Sequence, residues 1–324
     1  MIITRTPFRI SFAGGGSDLK DYYQNYGGAV LSTSINKYIY LSMHPYFQKD
    51  GYFLKYSNLE CVDNINKIQH RIIKRVLDDY KIMGIDFNSS ADIPSGTGLG
   101  SSSAFTAGLI NLCNIYTQKY MKKTEIASYA CEIEIDKLKE PIGKQDQYAC
   151  AIGGLNFISF NQDDVVTTEK IALDKDKSAK LQNNLLMFYT GSERSASAIL
   201  KEQKENIADS KKTKNLQKMV LLAYELRDEL LRGNIDDFGE ILHKGWLYKK
   251  ELSSQISNEK IDYYYNLAMK NGASGGKLLG AGKNGFLLFY AKENKHKQLR
   301  DSLKDLNELD FEFESIGTTV IYAD

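Results

Sequence analysis

Metal-binding and cross-linking residues are scarce in this chain. Its four cysteines, Cys61, Cys113, Cys131 and Cys150, form no CxxC pair and have no histidine at ligand spacing, which excludes a disulfide framework and a structural zinc site. They read as buried thiols of a reducing compartment. Charge of one sign is missing too: 42 Lys+Arg face 41 Asp+Glu, so neither nucleic acid nor an anionic membrane is the default partner, and binding has to be local and shaped. The first residues carry Arg5 and Arg9 and lack the apolar core of a signal peptide, so the expected location is cytoplasmic. No P-loop GxxxxGK[ST] and no HRD or DFG triplet occurs. The four histidines fall outside every motif described below.

Proline is rare as well, and three of only four (Pro7, Pro94 and Pro141) stand in or beside the segments that carry the chemistry. Against these absences, 324 residues with 42% apolar content suffice for about two domains with a real core. The pattern predicts an α+β order. A strand over 1–12 is followed by a helix from Leu19 to Tyr26, three strands over 29–56, a helix over 68–83 and a strand over 87–91. Ser17 is expected to cap the first of these helices, and Thr124 to cap another that runs to about Leu138. After a strand over 155–160, a polar stretch over 163–184 marks a boundary, giving domains of 1–175 and 176–324. Strands over 185–190, 276–279, 286–290 and 318–322 follow, with helices over 194–209, 212–232, 234–252, 258–270 and 293–305.

One segment stands out. Ile93 to Gln118 is 26 residues without a formal charge, yet seven Ser/Thr and four glycines make it unfit to face lipid. Its run Ser95-Gly96-Thr97-Gly98-Leu99-Gly100-Ser101-Ser102-Ser103 leads straight into a helix. Backbone amides freed by glycine and the positive end of a helix favour phosphate, so the lack of charge makes sense where amides and hydroxyls do the binding. Two further glycine runs occur, Gly14-Gly15-Gly16 and Gly280-Ala281-Gly282-Lys283-Asn284-Gly285. Carboxylates supply the second ingredient: Glu132, Glu134 and Asp136 on one helix, and Asp146 between Gln145 and Gln147 after the Pro141-Ile142-Gly143 turn. Asp146 is well placed for a base or a metal ligand, though taken alone such an acid is more often a helix cap. A phosphate cradle, a carboxylate with a hydroxyl for Mg²⁺ and a carboxylate near an acceptor hydroxyl are the requirements of phosphoryl transfer.

RTPFRISFAGGGSDLKDYY, PSGTGLGSSSAFTAGL with GKQDQY, and KLLGAGKNGFLLF stand in the order and spacing of the three signature motifs of the GHMP kinases, and the chain resembles that superfamily over nearly its whole length. FAGGGSD and IGKQDQYA are most similar to the D-glycero-D-manno-heptose 7-phosphate kinases, with fucokinases nearby. The resemblance implies a two-domain fold, ribosomal-S5-domain-2-like and then ferredoxin-like, with the active site between the domains. It implies ATP and Mg²⁺ as cofactors and a small-molecule sugar phosphate as partner, phosphorylated at its anomeric hydroxyl. Nothing in it calls for nucleic acid or membrane, or sets an oligomeric state.

By the same resemblance, Ser95 to Ser103 wrap the ATP phosphates, Ser102 and Glu134 hold Mg²⁺, Asp146 is the catalytic aspartate, and Arg9 keeps it ionised and stabilises charge on the transferred group. Asp18 matches the sugar-hydroxyl ligand. Gly15 and Gly16 stand where galactokinases carry Glu-His, which argues against galactose. Arg194, in TGSERSAS, and Lys283 are candidates for the substrate's phosphate. The rival readings are a kinase of an unphosphorylated sugar and a catalytically silent sensor on the same scaffold. The presence of Arg9, Ser102, Glu134 and Asp146 together favours an enzyme.

Overall fold

The computed structural model describes residues 1–48, 50–191 and 210–324. Arg194 and the helix expected over 194–209 lie outside them. The first half runs β1 (Ile2–Ala13), α1 (Lys20–Tyr26), β2 (Gly28–Pro45), β3 (Tyr52–Lys55), β4 (Leu59–Val62), α2 (Arg71–Tyr80), β5 (Ile85–Ala91), α3 (Ser101–Tyr116), α4 (Lys123–Cys131), α5 (Gln145–Ile152), β6 (Leu155–Phe160) and β7 (Val166–Lys170). The second runs α6 (Lys175–Asn183), β8 (Leu185–Tyr189), α7 (Ser210–Arg232), α8 (Phe238–Lys250), α9 (Glu259–Lys270), β9 (Gly275–Leu278), β10 (Phe286–Tyr290), α10 (His296–Ser302), β11 (Asn307–Glu308), β12 (Phe313–Glu314) and β13 (Thr319–Ala323).

Two sheets organise these elements. The larger has the order β13-β1-β2-β5-β3-β4, with β6, β7 and β12 added through β2. The smaller is antiparallel, β11-β8-β10-β9. β12 and β13, which a division near residue 175 assigns to the second half, pair with β2 and β1 and so return the end of the chain to the first sheet.

Several elements depart from the sequence pattern. Instead of separate strands before Pro45, β2 is one strand of 18 residues, and the polar Asn36-Lys37 pair is absorbed at a register shift opposite Pro7 and Phe8. Its first half pairs with β6 and its second with β5, so one long strand is shared by two pairings. Ser17 does not cap α1; its hydroxyl donates to the Gly14 and Ala29 carbonyls, closing the glycine turn onto β2. Thr124 does not cap α4 either: the N-cap is Lys122, two residues before the expected one, and its amide donates to the Glu125 carboxylate. The last expected helix is shorter than 293–305, since α10 spans only His296–Ser302.

The charge-free segment finds its reason in packing. α3 is buried on nearly all sides against β1, β2, α4 and α5, so no face is left for a charge. Gly108 passes so close to β1 that a Cβ there would lie 2.7 Å from Thr6 Oγ1. Beyond α4 the helix widens into a π-helical turn over Glu132–Lys137, which turns Glu134 fully inward while Glu132 reaches out to pair with Lys137. Such turns recur where a helix has to re-aim a functional side chain.

Candidate active site

The second and third glycine runs line one cleft of about 310 Å³ between the two halves, and the turn of the first adjoins it through Asp18. Gly96, Gly98 and Gly100 all have positive φ, so the loop before α3 winds through conformations that L side chains rarely adopt. Gly98 lies against the third run: a Cβ there would sit 2.6 Å from the Leu279 carbonyl, backbone against backbone. Along Ser95–Ser103, the residues that line the cleft are Gly96, Gly98, Gly100, Ser101, Ser102 and Ser103. Ser95 is exposed away from it, Thr97 donates to the Pro94 carbonyl, and Leu99 is buried with its carbonyl on the Arg9 amide. Gly98→Ala is therefore expected to cost about 1–3 kcal/mol of local strain and to weaken ATP binding by about tenfold. Calorimetric ATP affinity checks it, with Ser95→Ala as a neutral control; an unchanged Kd for Gly98→Ala would mean that the loop does not cradle the nucleotide.

Arg9, on β1, faces Asp146 in the first turn of α5. Its Nε and Nη2 each donate to one carboxylate oxygen at 2.7 Å, a bidentate pair, and Nη1 donates to the Gly98 carbonyl at 2.7 Å. Arg9 is 5% exposed, whereas the Asp146 side chain keeps 25% of its surface open to the cleft. The carboxylate is thus fixed in place and still reachable. Burial pulls the Arg9 guanidinium down, but Asp146 beside it prevails and holds it above its ordinary value. The N-cap residue of α5, Lys144, makes no side-chain cap bond, and the Gln145 amide is taken up by Asp18.

Glu134 is fully buried. Its Oε1 accepts from Ser102 Oγ at 2.6 Å, and Oε2 from Ser103 Oγ at 2.9 Å and Gln147 Nε2 at 2.8 Å. Burial pushes this carboxyl up, against the pull of those three donors. Asp18 lines the cleft, but both its oxygens are engaged: Oδ1 by the Gly16 amide and Gln145 Nε2, Oδ2 by the Gln145 amide. It clasps the first glycine turn to the start of α5, and burial, then the Asp146 charge, raises it above the usual carboxylate range. Gly143 must be bare there, because a Cβ would fall 1.9 Å from Asp18 Oδ2. Gly15 and Gly16 shape this turn rather than the cleft wall, with a Gly15 Cβ position 3.5 Å from Ser11 Oγ.

Lys283 lies off the cleft wall: its Nζ donates to Gln255 Oε1 at 2.9 Å, and Asn284 stands on the wall instead. The lysines that do line the cleft are Lys249 and Lys277. Lys249 had a legible signal, since it continues the buried face Phe238-Ile241-Leu242-Trp246 of α8, where a lysine needs a reason. A second, shallower depression of about 670 Å³ lies behind the small sheet, where Arg300 and Glu308 pair with each other.

Residues 66–154 match the family model of the GHMP kinase N-terminal domain, and residues 226–308 that of the C-terminal domain. The chain is also 30% identical to the D-glycero-alpha-D-manno-heptose 7-phosphate kinase of Campylobacter jejuni, over 94% of this chain and 93% of that one. The chain belongs to the GHMP kinases. As a member it is an ATP-dependent phosphotransferase with an alcohol acceptor, and its relatives make it a sugar kinase. The galactokinase of Pyrococcus furiosus is 27% identical over 93% of this chain and 92% of its own. In fold, this GHMP kinase matches the crystal structure of a D-glycero-D-manno-heptose 1-phosphate kinase from Bacteroides thetaiotaomicron, with a TM-score of 0.82 at 23% identity over the whole of both chains. The two-domain α+β architecture agrees with these relatives, and no described helix is long and apolar enough to cross a membrane. Arg9 and the first glycine run lie outside both matched ranges, and geometry alone ties Arg9 to the middle loop and the first run to the start of α5.

Proposed function

We propose that this kinase transfers the γ-phosphoryl group of ATP to the anomeric C1 hydroxyl of D-glycero-D-manno-heptose 7-phosphate. The 1,7-bisphosphate would serve nucleotide-activated heptose and surface polysaccharide synthesis. The observation that carries the substrate is the similarity to the Campylobacter jejuni heptose 7-phosphate kinase along nearly all of both chains. Gly15-Gly16 in the first motif supports a sugar other than galactose.

In this reading the amides of Ser101–Ser103, at the start of α3, and the Ser101 hydroxyl hold the nucleotide phosphates, the Ser102 and Ser103 hydroxyls being given to Glu134, and the bare backbone at Gly96, Gly98 and Gly100 lets the phosphates approach. Asp146 accepts the hydrogen bond, and then the proton, of the attacking hydroxyl. Arg9 holds that carboxylate in line through two bonds, and its charge favours negative charge developing on the moving phosphoryl group. Asp18 and Gln145 hold the turn against which the sugar lies.

Ser102 Oγ and Glu134 Oε1, 2.6 Å apart with Ser102 on the cleft wall, are a hard-oxygen pair suited to Mg²⁺, which commonly takes few protein ligands and completes its shell with phosphate and water. No group of three or more His, Cys, Asp or Glu placed to hold a metal ion exists among the described residues. When bound, the ion supplies charge neutralisation of the phosphates. Ser102→Ala and Glu134→Gln are expected to raise the Mg²⁺ concentration needed for half-maximal rate while leaving the sugar KM nearly unchanged. An unaltered Mg²⁺ titration in folded variants would remove both from the ion. Substrate choice is tested by ATP consumption with the heptose 7-phosphate, the heptose 1-phosphate and the free heptose. Equal use of free and 7-phosphorylated sugar would favour the fucokinase-like alternative.

A further inference from the structure

Two buried ammonium groups in the cleft have no counter-charge. Lys249 and Lys277 are 7% and 5% exposed, both line the cleft, and neither forms an ion pair among the described residues. Lys249 Nζ donates to the Leu278 carbonyl at 3.3 Å and closely to that of Gly280; Lys277 Nζ donates to the Ser11 and Phe12 carbonyls at 2.7 and 2.9 Å. An ammonium has three N–H donors, so each keeps one beyond its two carbonyls. Burying a cation without a partner is expensive, and Asp146 is already spent on Arg9. Burial and the neighbouring cations lower both lysines, Lys249 to about 8.

A third group faces the same space. Ser11 is 7% exposed, lines the cleft, and its buried hydroxyl has no hydrogen-bond partner. Its carbonyl anchors Lys277, and Gly280, whose carbonyl anchors Lys249, packs on Gly98 of the phosphate loop, where a Cβ would be 2.5 Å from Gly98 Cα. Two cations and a free hydroxyl beside that loop match a phosphate dianion, which brings two charges and several acceptor oxygens.

We propose that Lys249, Lys277 and the Ser11 hydroxyl form a phosphate site distinct from the amide cradle of the glycine loop. The proposal rests on the kinase reading but not on the heptose. Its phosphate is either the terminal one of ATP or the one the sugar already carries, and binding measurements separate the two.

Lys249→Met and Ser11→Ala, compared with wild type by calorimetry, are titrated with Mg²⁺ and AMP-PNP, with Mg²⁺ and ADP, and with D-glycero-D-manno-heptose 7-phosphate. The lysine variant is expected to lose about tenfold or more for one phosphate ligand, and the serine variant less for the same ligand. A loss for AMP-PNP without one for ADP assigns the terminal phosphate. A loss for the sugar phosphate with both nucleotides unchanged assigns the substrate. A loss shared equally by AMP-PNP and ADP, or all three affinities within about twofold of wild type, overturns the site. Should Lys249→Met fail to fold, wild-type protein acylated with acetic anhydride answers the same question. Lys249 and Lys277 are then expected to be protected by AMP-PNP or the sugar phosphate and not by adenosine, and equal labelling in all conditions overturns the proposal. If the wild type binds AMP-PNP but not the heptose phosphate, the substrate reading fails while the nucleotide arm still decides this one.

Discussion

Asp146→Asn is expected to lower kcat by about 10²- to 10⁴-fold while ATP affinity stays nearly constant, because asparagine keeps the shape and loses the charge that takes up the acceptor's proton. Structure sharpens the expectation. Both carboxylate oxygens are held at 2.7 Å by Arg9, so an asparagine turns an N–H toward a guanidinium and loses one of the two bonds. Some loss of melting temperature follows, but the open quarter of the side chain limits it. A purely capping residue behaves differently: asparagine caps as well as aspartate, so turnover would stay near normal. Steady-state kcat and calorimetric ATP affinity on the same folded sample decide the matter, and turnover within about threefold of the parent would sink the assignment.

Removal of Arg9 is expected to be nearly as severe. Arg9→Met should cut kcat by about 10²- to 10³-fold, as loss of a preorganised charge at the transferring group commonly does. It also frees the Gly98 carbonyl and leaves Asp146 without its partner, so the phosphate loop and α5 lose the tie between them. Arg9→Lys keeps the charge but not the planar fork, which here serves two carboxylate oxygens and one carbonyl at once. It should recover only part of the loss. Full activity in the lysine variant would show that charge alone matters, and full activity in the methionine variant would remove Arg9 from the chemistry.

What was legible in the sequence was local. The glycine loop announces its close backbone and the helix that follows it, because both depend on neighbours within a few residues, whereas the charge-free run did not show that its reason is packing against β1, β2, α4 and α5. Asp146 after Pro141-Ile142-Gly143 was visible for the same reason. Long-range closures were not visible. Lys277 owes its place to carbonyls on β1, 266 and 265 positions away, and β13 closes the first sheet from the far end of the chain. The π-helical turn was hidden too: the resemblance points to Glu134 rather than Glu132, and this turn is what aims Glu134 inward while Glu132 pairs with Lys137. Asp18 lines the cleft while its oxygens hold N–H groups of Gly16 and Gln145, a network that matching residue types does not reveal.

The most direct test is the product itself. Purified protein incubated with Mg²⁺, ATP and D-glycero-D-manno-heptose 7-phosphate is followed by phosphorus NMR with proton correlation. Phosphoryl transfer to C1 predicts a new phosphate resonance coupled to the anomeric proton, appearing with ADP in equal amounts and absent in the Asp146→Asn variant. A phosphate on any other carbon, or ATP consumed with no new sugar phosphate, would contradict it.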